Sequence, residues 1–249
     1  MDVSVGSVIF VFVAALATAA ATGLGALPFA FVDLKGKRWL GLANGIAAGV
    51  MFGASASLLV EGAADSITRT AIGAALGVSF VYVVRFAIKR GVEPDVSQLS
   101  GANANKALLI VAVMTAHSTA EGFGVGSAFG GGGIFGVVIA VAIAIHNIPE
   151  GLAISLVLVP KGASVRSAAG WSIFSSLPQP LLAVPSFLFV EQFRALLPAG
   201  LGFAAGAMIW MAARELLPEA VEDAPMRQVA GAVAAAFIAM FTFQFLLIG

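Results

Sequence analysis

The sequence predicts an all-α integral membrane protein of eight transmembrane helices in a 3+2+3 arrangement with inverted-repeat pseudo-symmetry, an expectation carried by three observations. Hydrophobic residues make up 60% of the chain and charged residues 10%, with a mean hydropathy of +1.02. That is more apolar surface than a soluble domain of 249 residues could hide in a core. Apolar runs of about twenty residues, each enough to cross a bilayer, recur between short clusters of Lys, Arg, Asp, Glu, Pro and Gly. Finally, a His-x-x-x-Glu-Gly segment occurs twice, His117 to Gly122 and His146 to Gly151, in neighbouring runs that must thread the bilayer in opposite directions.

The punctuation places the helices at approximately 5–31, 39–61, 69–89, 105–127, 134–159, 166–190, 196–217 and 225–248, all in one transmembrane domain over residues 1–249. The first follows Met1-Asp2 with no basic n-region and is too long for a signal peptide, so it reads as a retained span. In the second, Gly41, Gly45 and Gly49 at four-residue spacing suit close helix packing. The third ends in Arg85 and Lys89, whose stems can snorkel to the surface. The longest connection, about 90–104, holds no low-complexity run and no histidine cluster. The fourth and fifth helices carry the His/Glu segments, and the sixth is interrupted by Ser175-Ser176-Leu177-Pro178-Gln179-Pro180. In the seventh, Gly202-Phe-Ala-Ala-Gly206-Ala-Met208 echoes Gly45-Ile-Ala-Ala-Gly49-Val-Met51 of the second. Pairing two with seven and four with five relates the outer triplets by a pseudo-twofold axis in the membrane plane, an architecture of alternating-access transporters. The eighth helix is a plain apolar run.

Lys35, Lys37, Arg38, Arg85, Lys89, Arg90, Lys106, Lys161 and Arg166 flank the first, third and fifth connections. The positive-inside rule then turns these to the cytoplasm of a prokaryotic inner membrane and leaves both termini outside. On this reading Glu61, Asp65, Glu215, Glu219, Glu222 and Asp223 belong to the outer side, where acidic groups can gather cations. A formal net charge of zero gives no sign of a nucleic-acid partner, and the absence of cysteine limits metal ligands to nitrogen, oxygen and thioether donors.

Those limits sharpen the meaning of the duplicated segments, which contain both histidines of the chain. Residues four apart share a helix face, so His117 aligns with Glu121 and His146 with Glu150, close to the middle of their spans. Two carboxylates at that depth are costly unless compensated. A divalent cation neutralises both and accepts the two imidazoles as further ligands. Two nitrogens and two oxygens suit tetrahedral Zn²⁺ and can also hold Fe²⁺, Mn²⁺ or Cd²⁺. Pro149 leaves the carbonyl of Ile145 without its helical N–H donor, an irregularity tolerated where backbone lines a cavity.

His146-Asn147-Ile148-Pro149-Glu150-Gly151 resembles the fifth-helix signature of the ZIP (Zrt-, Irt-like protein) family of divalent-metal transporters, with a likeness to bacterial zinc-uptake members over essentially the whole chain. His117 to Gly122 is similar to that family's fourth-helix motif, Ala47 to Met51 to its second helix, and Glu215 to Glu219 to the end of its seventh. The resemblance implies a primary metal site of His117, Glu121, His146 and Glu150 with Met51 beside it, and a second site bridged by the same glutamates. Ser118 and Gln179 depart from the family pattern at that second site, where Asn147 retains it, so one strongly occupied site is expected, with Ser118, Asn147 and Gln179 as secondary or supporting groups.

The expected function is transport of a divalent ion toward the cytoplasm, with no enzymatic activity and no cofactor beyond the metal carried as substrate. The expected partners are the ion and the lipid bilayer, with a homodimer allowed. Rival readings are an intramembrane zinc-dependent hydrolase and a metal-binding scaffold or sensor that does not transport; against the hydrolase, no separate general base is evident.

Overall fold

The computed structural model describes the backbone of residues 4–31, 36–91 and 102–248 and the side chains of 4–31, 36–87, 114–115 and 117–247. Lys35, most of the 90–104 connection, and the side chains of Lys89, Arg90 and Lys106 lie outside the described residues. Every regular element among those described is helical.

Helix α1, Val5–Leu24, starts at Ser4, whose hydroxyl accepts the Ser7 N–H, and stops at Gly25 before a 3-10 turn, Leu27–Ala30, with Pro28 in its first positions. That proline is why the α-helix ends short of residue 31. α2, Lys37–Gly91, covers the second and third expected spans; in place of a loop over 62–68, only Ser66 leaves helical geometry (φ −160°, ψ 104°). Ser66 caps the second arm of this helix: its hydroxyl accepts the Arg69 N–H and its carbonyl accepts the Thr70 hydroxyl. The two arms fold back on each other, since Asn44 on one and Arg85 on the other both reach the segment holding Glu215 and Glu219.

α3, Ala102–Gly131, and α4, Gly133–Leu158, are joined at Gly132, whose φ of +155° favours glycine. The sixth expected span is two helices, α5, Val165–Ser176, and α6, Pro178–Gln192, divided at Leu177 where Pro178 cannot continue the ladder. The seventh is α7, Leu197–Met211, a π-helical turn, Ala212–Leu216, and α8, Leu217–Asp223, which together extend beyond the expected end at 217. α9, Met226–Ile248, closes the chain.

Among the described residues, six helical stretches are long and apolar enough to cross a membrane: Val5–Ala30, Lys37–Ala87, Gly133–Lys161, Val165–Gln192, Arg194–Asp223 and Met226–Leu247. Polarity is reversed relative to a soluble protein. Ile67 and Leu246 are 74% exposed, whereas His117, Glu121, His146, Asn147, Glu150 and Gln179 are buried. An apolar exterior around a polar interior is what a lipid solvent selects, so the chain is an integral membrane protein.

The helices pack as two groups. α1, α4, α5 and α6 gather with α3, while α2 packs along α7, α8 and α9; α3 against α7 and α2 against α4 join them. Glycines set the closest approaches: Gly49 faces the carbonyl of Val233 on α9, and Gly202 and Gly206 of α7 face carbonyls of Thr70 and Ala74 on α2.

One expectation is corrected. Lys37 lies 3.9 Å from Asp223, Arg85 lies 3.1 Å from Glu215, and Asn44 donates to Glu219 at 3.3 Å. Glu215, Glu219 and Asp223 therefore stand at the same end as the basic first and third connections, not opposite them. The carboxylates of the π turn and α8 stand beside the cations of α2. Glu61 and Asp65 are exposed beside the Ser66 break at the other end, where Arg69 donates to the carbonyl of Ala195 at 3.1 Å.

Candidate metal centre

The helical spacing that aligns His117 with Glu121 on α3 and His146 with Glu150 on α4 also turns the two pairs toward each other. One ligand atom from each of the four residues lies within 4.8 Å of the other three, and all four side chains are buried. The imidazole rings are nearly parallel, 15° apart in plane and 6.0 Å between centroids. His146 Nδ1 is 3.0 Å from Glu121 Oε1, and His117 Nε2 is 3.8 Å from the same oxygen. Neither contact has hydrogen-bond alignment: both nitrogens of each ring, Glu121 Oε1 and both Glu150 oxygens have no hydrogen-bond partner within the protein. Buried polar atoms left this way are rare unless something else satisfies them. Ligands on one tetrahedral zinc stand about 3.4 Å apart, so side-chain shifts of a rotamer's breadth would close the cluster on an ion. Two carboxylates cancel a dication, and two neutral imidazoles complete the set.

The glycine after each glutamate explains how the helices come close enough. A Cβ on Gly151 would collide with the carbonyl of Thr22 on α1, and one on Gly122 would meet the Gln179 backbone at the start of α6. Each Glu-Gly pair thus aims a carboxylate inward and lets a second helix press against the next position.

α1 and α6 supply the surrounding polar groups. Gln179 Nε2 donates to Glu121 Oε2 at 2.6 Å, and its Oε1 accepts from Asn147 Nδ2 at 3.1 Å and from the Thr18 hydroxyl. Asn147 Nδ2 also donates to the Thr18 carbonyl at 2.7 Å. The Thr22 and Ser176 hydroxyls meet at 2.8 Å one turn away.

Of the residues singled out from sequence, His117, Glu121, His146 and Glu150 converge, and Asn147 and Gln179 stand around them. Ser118 is buried with its hydroxyl unpartnered, outside the Gln179 network. Met51 is fully buried in the principal apolar cluster, together with Met208. Thr18 is the residue that sequence reasoning missed. Its signal is faint but present, since Thr18 and Thr22 are polar residues four apart in an otherwise apolar span, hence on one face.

Buried His and Glu side chains converging from two neighbouring helices, inside an apolar exterior, define a class: helical membrane proteins with an interior His/Glu cluster compatible with a metal ion. Within that class the chain belongs to the ZIP zinc transporter family, whose model matches residues 87–246. A putative zinc transporter of Arabidopsis thaliana is 47% identical over 220 residues, which are 87% of this chain and 35% of the plant protein. The zinc transporter GufA of Myxococcus xanthus is 31% identical over 225 residues, covering 83% of this chain and 87% of that protein. ZupT, a zinc transporter of Corynebacterium glutamicum, is 34% identical over 119 residues, 35% of this chain and 45% of that one. The chain thus spans about a third of the length of its plant relative.

Proposed function

We propose that the protein carries a divalent metal ion, Zn²⁺ foremost and Fe²⁺, Mn²⁺ or Cd²⁺ as chemically admissible substitutes, across the membrane toward the cytoplasm. His117, Glu121, His146 and Glu150 hold the ion, with the Met51 thioether beside them and Ser118 and Asn147 supporting. The single observation behind this reading is the convergence of four buried, mutually unbonded ligand side chains. The names of the relatives agree with it.

Eight crossings belong to the same reading: α2 counts twice because it doubles back at Ser66, α3 adds one to the remaining five apolar stretches, and the 3+2+3 pseudo-symmetry follows. The centre is then near the midplane. α3 and α4 bear the four ligands and group with α1, α5 and α6, α2 and α7 to α9 form the other group, and movement of one group against the other exposes the ion to each side in turn. Both termini face outward, Glu61 and Asp65 gather the ion there, and the carboxylates of α8 act on the cytoplasmic side.

Zinc uptake into proteoliposomes is the test. Glu150→Ala and His146→Ala should each reduce initial uptake at least tenfold, because losing a ligand leaves the remaining buried charge uncompensated; wild-type rates in both variants overturn the site assignment. Protons compete with metal for the imidazoles, so zinc affinity measured by calorimetry should weaken as pH is lowered from about 7.5. A pH-independent affinity would exclude histidine ligation.

A further inference from the structure

We infer that Gln179, anchored by Thr18 and Asn147, is a positioning residue that clamps Glu121 through one oxygen and fills the flank of the carboxylate with an N–H donor, making the metal centre mononuclear. The inference rests on the metal-centre reading above and adds a device that the four ligands alone do not contain.

The polarity of the clamp is fixed by its far end. The Thr18 carbonyl can only accept, so the Asn147 atom 2.7 Å away is its amide nitrogen, and the second hydrogen of that nitrogen points at Gln179. Gln179 must then present its oxygen to Asn147 and its NH₂ to Glu121, where the 2.6 Å contact to Oε2 is a hydrogen bond to a carboxylate. The Thr18 hydroxyl reaches the same Gln179 oxygen and, at 2.7 Å, the carbonyl of Ala15. The single Thr18 hydroxyl hydrogen is shared between those two oxygens, and with Asn147 it fixes the side on which the Gln179 oxygen lies, so the amide cannot flip without losing partners on α1 and α4.

Glu121 is constrained in two ways. Oε2 is held on the amide, leaving Oε1 turned to the imidazoles as the oxygen that ligates. The flank beside Oε2 carries the positive end of an N–H dipole, which repels a second cation where a carboxylate would attract one. α1, which donates no ligand, thereby controls the pose of a ligand on α3.

The test uses the full chain, purified, stripped of metal and titrated with Co²⁺, read by metal content per chain and by the visible d–d spectrum. Wild type should bind one Co²⁺ per chain with the intense bands of four-coordination. Gln179→Glu should bind two. Gln179→Ala should keep one, bound roughly tenfold more weakly and with weaker bands as Glu121 gains freedom to ligate through both oxygens. Thr18→Val, which keeps the backbone carbonyl and the side-chain shape, should shift affinity in the same direction by a smaller factor. Two tightly bound Co²⁺ in wild type, a single Co²⁺ in Gln179→Glu, or affinity and spectrum unchanged in both Gln179→Ala and Thr18→Val would each overturn the clamp while leaving the four-ligand site standing. Full Co²⁺ binding in His146→Ala would instead overturn the metal centre itself, and the clamp with it.

Discussion

At the scale of single residues, the two glycines that follow the glutamates carry as much of the geometry as the ligands do. Gly151 lies against a backbone carbonyl, which cannot rotate aside as a side-chain tip can. Gly151→Ala should therefore destabilise the fold by at least about 2 kcal/mol, measured as a lowered melting temperature in detergent, because overpacking against rigid backbone moves α1 bodily. Gly231, with open space around it, is the control: Gly231→Ala on α9 should leave the melting temperature unchanged or raise it slightly. The clustering of His117, Glu121, His146 and Glu150 was legible in sequence because charge in an apolar run has few explanations and the pattern is duplicated. Thr18 was not, since a hydroxyl in a membrane helix satisfies itself on its own backbone, as Thr18 also does on Ala15, and leaves no trace of a longer-range role.

At the scale of elements, the π-helical turn Ala212–Leu216 coincides with the attachment of Arg85. One guanidinium nitrogen meets both Glu215 Oε1, at 3.1 Å, and the Arg214 carbonyl, at 3.4 Å. A π turn widens the helix and frees a carbonyl from its usual partner, and here a cation from α2 takes it up. A double-mutant cycle with Arg85→Gln and Glu215→Gln, read by chemical denaturation, should give a coupling of about 1 kcal/mol, the upper range for a partly exposed pair. Proline announced the break at Leu177, whereas the first helix was expected to run to residue 31 and the early stop before Pro28 was not read. A reversal between residues 61 and 69 was legible; that it turns through Ser66 alone was not, because its cap depends on backbone geometry that composition does not encode. The π turn is equally silent, arising from tertiary bonding.

At the scale of the whole molecule, pairing between connections corrects the assignment of sides. Lys37 and Asp223 are neighbours, so cysteines placed at the two positions in this cysteine-free chain should react with an impermeant maleimide from the same face of the membrane. Asp65→Cys should react from the opposite face only. Labelling of position 223 together with 65, and not with 37, would refute the arrangement. Charge bias read along the chain placed the basic connections together but misassigned the acidic ones, because position in sequence was not converted consistently into parity of crossing. Which helices group together was also beyond the sequence: small-residue stripes occur on nearly every span, and only their match with a partner's carbonyls distinguishes neighbours.

The hinge at Ser66 has a mechanical corollary. Two long arms joined through one non-helical residue leave little spare chain between them, so the end of one arm fixes where the other begins. With one arm packed on α9 and the other on α7, this hairpin ties those two helices into a single frame.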